Sequence, residues 1–553
     1  MSKPAGLGLR RWWQSGQPWI WLSAGAVALS ILMVLGVVGL IAARGLVHFW
    51  PGELIAFEHR AEDGSRQPLL ARLIERDAVP AARLAALGVP VPEGVAYIER
   101  WMLKTGNRDL TGEDFRWLLA GQIDGIHRPA DALVIERAEW GDFHGYLRGI
   151  EEAGQPLPLA GEDLRVALRE RLARKHLLAR QIRDLERGPI GALNARMERL
   201  RRVERRADPT ALADIRAERA GLEAAYDEIV REIVVKRQAL ERDTLLLASA
   251  DGREFRLPMA QVIDVLWPND LSVGEQLAWF GHRILRFLRE DPREANTEGG
   301  VFPAIFGTVL MVLLMSVVVT PFGVIAAVYL REYARQGPVT QAIRIAVNNL
   351  AGVPSVVYGV FGLGFFVYFL GGNIDTLFFT DALPAPTFGT PGVLWASLTL
   401  ALLTVPVVIV STEEGLARIP RSIREGSLAL GATKAETLFR TVLPMATPAI
   451  MTGVILAVAR AAGEVAPLML VGVVKLAPAL PIDGNFPWLH LDRKFMHLGF
   501  HIYDTGFQSP NVEAARPLVY ATALLLVVLI VVLNLAAISL RNRLREMYHA
   551  SEN

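Results

Sequence analysis

Six apolar runs dominate this 553-residue chain, each near the twenty residues that an α-helix needs to cross the hydrocarbon core of a bilayer. They fall at about 19–43, 304–329, 345–370, 392–410, 449–474 and 517–540. Lipid offers backbone N–H and C=O groups no partner, so runs of this length read as helices that satisfy their own hydrogen bonds. The fold class they dictate is an α-helical polytopic membrane protein. The first run is longer than a signal-peptide core and no small-x-small cleavage site follows it, so it is expected to be retained.

Positive charge in the short connections sets the orientation. Lys3, Arg10 and Arg11 precede the first run, and Arg331, Arg335 and Arg344 separate the second from the third. Arg418, Arg421, Arg424, Lys434 and Arg440 separate the fourth from the fifth; Arg541, Arg543 and Arg545 follow the sixth. With six crossings all of these segments share one side, the cytoplasm, and both termini (1–18 and 546–553) lie there. The expected location is the bacterial cytoplasmic (inner) membrane, with membrane lipid as the surround.

Between the first two runs lies a charged block, 51–300, expected in the periplasm as an inserted α+β domain. Residues 51–157 mix short apolar stretches with Gly, Pro and Asp and read as small strands and short helices. Beyond them Leu164, Leu168, Leu178, Ile182 and Leu185 follow a 3–4 spacing that Gly188-Pro189 should break. Leu193, Met197, Leu200 and Val203 resume it, Asp208-Pro209 interrupts it again, and Leu212, Ile215, Leu222, Tyr226, Ile229, Ile233 and Leu240 form a last seam. The expectation is an antiparallel coiled-coil hairpin over about 162–242. Asp251-Gly252, between strand-like runs at 244–249 and 254–257, predicts a tight β-hairpin. Over 272–290, Val273, Leu277, Phe280, Ile284 and Phe287 share one helical face and Arg283, Arg286 and Arg289 the other. That pattern suits a helix lying on the membrane surface or one packed on the domain itself. His127, His144 and His176 are scattered and no metal-ligand spacing accompanies them. A net charge of +1 gives no reason to expect nucleic acid, and the lack of cysteine excludes disulfide and thiolate chemistry.

Two polar features interrupt the second half. The segment 413–444 contains Glu425-Gly426-Ser427-Leu428-Ala429-Leu430-Gly431 and then Thr441-Val442-Leu443-Pro444. It reads as a short helix, a turn at Gly431 and a second helix ending before Leu443-Pro444. Within the fifth apolar run stand Arg460 and, one turn on, Glu464. Ionisable groups at that depth are costly and point either to a substrate path or to a static pair joining spans. Arg460 offers five fixed donors to an anion, with Glu464 as its partner when the path is empty. Gly352-Val353-Pro354 should break the third run, making Asn348, Asn349 and Ser355 candidates to line the path or to hydrogen-bond between helices. No Gly-x-x-x-x-Gly-Lys-Ser/Thr loop occurs, so the chain is not expected to hydrolyse ATP.

At Glu425, Gly431, Leu443 and Pro444 the spacing resembles the EAA loop of ABC-importer permeases, with Gly426 and Ser427 in place of two alanines and Thr441 in place of isoleucine. The stretch Arg460-Ala461-Ala462-Gly463-Glu464-Val465-Ala466-Pro467-Leu468 resembles the fifth-span motif of PstA-type permeases of phosphate-specific ABC importers, with Val465 where threonine is usual. Leu330-Arg331-Glu332-Tyr333 and 346–355 resemble that family too. The resemblance covers 302–545 well and the first run loosely, and leaves 51–300 as an insertion. It implies an ABC importer permease fold over 301–545 and a path for inorganic phosphate formed with a sister permease (PstC type). It further implies an ATPase dimer (PstB type) docked on the Glu425 loop and an extracytoplasmic phosphate-binding protein (PstS type). ATP and Mg would be bound by the ATPase, and this chain would need no cofactor. The charge pair by itself specifies only an anion, so a permease for sulfate or molybdate is an alternative reading. A membrane-anchored coiled-coil scaffold or sensor is another.

Overall fold

The computed structural model describes residues 13 and 15–550, apart from 62–63, 87–93, 205–207, 209, 294–295 and 510–511. Lys3, Arg10, Arg11, Pro209 and residues 551–553 lie outside the described residues. Among the described residues six helices are long and apolar enough to cross a membrane: Gln17–Val47, Phe302–Tyr333, Ser355–Phe378, Val393–Arg418, Lys434–Gly463 and Ala515–Arg543.

Two boundaries differ from the hydropathy reading. The third span begins at Ser355, and the stretch before it forms a separate amphipathic helix, Pro338–Leu350. Pro354 lacks an N–H and forces its predecessor out of the helical region, so the apolar run is cut there rather than merely bent. Asn348 and Asn349 therefore lie on the shorter helix, exposed, and not inside span three. The fifth span begins at Lys434 and stops at Gly463, where Glu464 turns to extended backbone.

Span four is the centre of the bundle. Leu400, Leu403 and Val408 pack there against Met311, Met315 and Val319 of span two and Ala457, Val458 and Ala461 of span five. Small residues let these helices approach. A Cβ on Gly453 would fall 2.8 Å from Ser411 Cβ, and one on Gly415 would fall 2.4 Å from Ala449 Cβ. The first span presents its surface outward and closes on the sixth at Gly45, whose Cβ would meet the backbone of Tyr520 and Ala521 at 2.9 Å.

Among the described residues, 51–300 build two large antiparallel sheets, a two-stranded ribbon of Pro292–Arg293 with Glu298–Gly299, and a helical hairpin. The first sheet runs Phe115–Leu119, Tyr97–Lys104, Arg66–Pro80, Leu54–Arg60, Ile123–His127 in spatial order. The second runs Glu254–Pro258, Asp243–Ala248, Phe143–Glu152, Ala132–Arg137, Val262–Leu266. Asp251-Gly252 forms the expected turn between Asp243–Ala248 and Glu254–Pro258, with Gly252 at φ +82°. The helical hairpin leaves the second sheet after Phe143–Glu152 and returns at Asp243. Gly161–Leu185 and Gly191–Glu204 pack against Leu212–Glu241, with Ile182, Leu222 and Ile233 buried. Gly188-Pro189 does not break the first arm. It sits in a widened π turn, Glu186–Ile190, that accommodates the proline ring and carries the helix on.

The helix Val273–Arg289 opens on a capping box between Ser272 and Glu275. The second half of its apolar face is covered: Phe280, Ile284 and Phe287 pack with Phe49, Val301, Ala304, Leu518 and Ala521, at the ends of spans one, two and six, while Val273 and Leu277 stay exposed. A second joint is polar. Asn296 donates to Asp504 Oδ2 at 3.3 Å and to the Lys475 carbonyl at 2.9 Å, while Lys475 and Asp504 pair at 3.0 Å.

Candidate functional site: the loop before span five and the span-five charge pair

The loop between spans four and five folds as two short helices. Arg421–Ala429 ends at a turn where Gly431 takes φ +89°, a conformation that L side chains rarely adopt. Lys434–Thr437 starts on a Thr433 cap with the Glu436 carboxylate returned to Thr433 N at 2.9 Å. This second helix does not end before Leu443-Pro444. A π turn, Leu438–Val442, joins it to Leu443–Gly463, and its wider gauge takes Pro444 without a stop. Ser427 and Thr437 hydroxyls at 2.9 Å tie the two short helices together.

One anchor holds this loop to the bundle. Arg424 donates to Glu332 at 2.8 Å and to the carbonyls of Ile419 and Leu416 at 2.6 and 2.8 Å. Glu332 belongs to the π turn Tyr329–Tyr333 at the end of span two. Lys434 Nζ contacts the Glu332 carbonyl and sits 4.4 Å over the Tyr333 ring. Beneath them Leu416, Ile419, Leu438 and Val442 form a small core. Arg344, on Pro338–Leu350, pairs with Glu413 at 3.3 Å. Glu425 lies outside these contacts: it is exposed, and among the described residues no ion pair reaches it. Leu428, Leu430 and Phe439 of the same segment also stand exposed, Leu430 at 91%.

At the other end of the same helix Arg460 Nε lies 3.6 Å from Glu464 Oε1. The two side chains are 32% and 22% exposed. Arg460 occupies the last turn, where a cation complements the helix dipole, and Glu464 is the first residue beyond it. Tyr358 of span three donates its hydroxyl to the Leu350 carbonyl at 2.6 Å. Gly359 brings that span against the segment after Glu464: a Cβ there would fall 2.7 Å from Pro467 Cα.

The structure thus joins Arg460 to Glu464, and places Ser355 at the start of the helix that carries Tyr358. It leaves Asn348 and Asn349 exposed on the preceding helix. Tyr358 and the Arg424–Glu332 anchor escape sequence reasoning. Arg424 reads there only as a topological charge, and its partner lies 92 positions away.

Residues 319–546 match the family model described as binding-protein-dependent transport system inner membrane component. The chain is 32% identical over 264 residues to the phosphate transport system permease protein PstA of Mycobacterium leprae, covering 48% of this chain and 79% of that protein. It is 33% identical over 323 residues to PstA 1 of Mycobacterium tuberculosis (strain CDC 1551 / Oshkosh), covering 57% of this chain and 95% of that one. Among solved structures it is similar to a chain of the inward-facing MetNI methionine ABC transporter at TM-score 0.32 and 18% identity, covering 44% of this chain and 94% of that one.

Proposed function

This chain belongs to the PstA-type phosphate transport permeases, and on that basis we propose how its two polar features serve an ATP-driven phosphate importer. It is a permease subunit, of a family without an ATPase site of its own, and such importers combine it with a partner permease, ATPase subunits and a substrate-binding protein. In this reading the sister permease (PstC type) completes the path, a PstB-type ATPase dimer binds ATP and Mg, and a PstS-type protein delivers inorganic phosphate. The exposed Glu425, with Leu430 and Phe439 of the same segment, enters a groove on the ATPase; Gly431, Leu443 and Pro444 shape the loop that does so. The termini are cytoplasmic and 51–300 is periplasmic.

The observation that carries the pathway assignment is the Arg460–Glu464 pair, loose at 3.6 Å and partly exposed at a helix end. A hydrated dianion needs fixed donors in its path, and Arg460 supplies a guanidinium that stays charged. Glu464 holds that group when no anion is present and gives it up when one arrives. Ser355 lines the approach with the free N–H groups of its helix start. Asn348 and Asn349, on the helix before span three, lie towards the cytoplasmic end of the path rather than at its middle.

Phosphate uptake by cells carrying Arg460→Gln tests the assignment. Uptake is expected to fall at least a hundredfold while the sister permease and ATPase still co-purify. Uptake at the unmodified level removes Arg460 from the path.

A further inference from the structure

A cavity of about 790 Å3 opens where residues 51–300 meet the ends of spans one and six. Its walls are the strands Arg66–Pro80 and Tyr97–Lys104, the helix Val273–Arg289, and Phe49 and Leu518 from the spans. Arg72 and Lys104 are direct cross-strand neighbours, an arrangement that repels unless the charges are answered. Lys104 is answered by Asp142 at 2.6 Å. The Arg72 side chain has no hydrogen bond or ion pair among the described residues. The facing helix shows the same contrast. Arg286 is held by Glu136 at 3.1 Å, Asp264 at 3.1 Å and Glu290 at 2.8 Å, whereas Arg283, one turn earlier, has no such partner among the described residues.

The acids of the cavity are already committed. Asp142 serves Lys104, Glu136 serves Arg286 and Arg293, and Glu113 serves Arg116. Asp114 and Glu298 have contacts of their own. Arg72 and Arg283 also border a smaller space lined by Trp279, whose buried Nε1 has no acceptor among the described residues. Bare backbone at Gly52 makes room for Arg72 to reach the cavity, since a Cβ there would fall 2.3 Å from Arg72 Cδ. Burial, then the Arg283 charge, pulls the Arg72 guanidinium below its ordinary pKa. Asp142 and Asp114 act on Arg72, and Glu136 and Asp142 on Arg283, only through space, so the two half-buried cations are answered without a direct partner and are costly to keep.

We propose that Arg72 and Arg283 together bind a phosphate group in this cavity. Two planar guanidinium forks suit a tetrahedral oxyanion, and each can engage it through paired N–H donors. Phe49, Phe287 and Leu518 line the membrane side, so the group arrives either as free inorganic phosphate or as the headgroup of an anionic phospholipid. The site is separate from the Arg460 pair and does not depend on its role.

Purified complexes carrying Arg460→Gln, which empties the proposed path, isolate this site. Two probes are applied to them: radiolabelled inorganic phosphate on delipidated protein, and native mass spectrometry of protein purified with phosphatidylglycerol. Saturable phosphate binding that weakens at least tenfold in R72Q/R283Q identifies free phosphate as the ligand. Retained phosphatidylglycerol that is lost from R72Q/R283Q identifies the headgroup. The ligand-free double variant is expected to melt no lower than its parent, because two repelling charges are gone. Should it not fold, Arg283→Gln alone is judged by the same tenfold criterion, with Gly52→Val as a variant that displaces Arg72 without removing it. Binding of both probes unchanged by these substitutions, or absent from the parent, overturns the proposal.

Discussion

Arg424 is the substitution whose consequence can be worked most fully. Its guanidinium makes one ion pair and two carbonyl bonds that fasten the loop to spans two and four. The side chains of Arg424 and Glu332 are only 19% and 13% exposed, so Arg424→Ala leaves a largely buried carboxylate and two carbonyls without their donor. Breaking a buried pair by removing one partner costs roughly 3–5 kcal/mol, and the residual exposure favours the lower end. About 3 kcal/mol raises the equilibrium for local opening by roughly 150-fold. Hydrogen exchange measured by mass spectrometry over 421–437 reads that change directly. Exchange there should accelerate by about two orders of magnitude, with spans four and five unaffected. Glu332→Gln keeps an acceptor and should cost less, and the double variant should cost less than the sum of the two, as contacting residues do. Exchange within threefold of the parent in Arg424→Ala would show that the anchor holds nothing.

Two further expectations follow from particular contacts. Glu425→Lys should cut the amount of ATPase recovered with the complex at least tenfold, and full recovery would exclude Glu425 from docking. His497 caps the helix Leu498–Tyr503 by accepting from Gly499 N at 3.1 Å, and burial lowers its pKa to about 4. Its folded pKa lies below the ordinary 6.5, so the stability it contributes is present above pH 6.5 and lost as pH falls towards 4, by about 3 kcal/mol in all. Thermal melts of His497→Asn, which keeps a cap acceptor that does not titrate, should show a flatter pH dependence over that range; an unchanged slope would clear His497.

Local chemistry was legible where one physical effect dominated. Long apolar stretches have no alternative to helix in lipid, and Asp251-Gly252 fixes its turn through glycine's access to φ +82°. Proline was legible only in part. At Gly352-Val353-Pro354 it ends a helix as expected, but at Pro189 and Pro444 the chain widens to a π turn and continues. The choice depends on what the continuing helix packs against. Leu438 and Val442 of one such turn are buried on Leu416 and Ala446, which rewards continuity there. Partners distant in sequence were not legible at all. Arg424 and Arg286 looked like topological or surface charges, and only the fold brings Glu332, Glu136 and Asp264 to them.

Continuity through Pro444 bears on the proposed coupling. Lys434–Gly463 is a single rod of 30 residues, about 45 Å long, with the loop at one end and Arg460 at the other. Gly415 and Gly453 hold it close against span four, so on the proposed reading a displacement of the loop is passed along this helix to Arg460. Glu464 belongs to a different body: its backbone has left the helix, and the segment after it rests on span three through Gly359 and Pro467. A movement of the rod therefore changes the distance between the two charges. Lengthening 3.6 Å by about 2 Å removes about a third of their attraction, since it falls inversely with separation. On the proposed reading this is how ATPase motion frees Arg460 for phosphate. Glu464→Gln removes the competitor in every state, so the anion should be held more tightly and released more slowly. Transport kinetics in proteoliposomes should then show KM and maximal rate falling together. If both stay at the parent values, Glu464 does not compete for Arg460 and the pair is static.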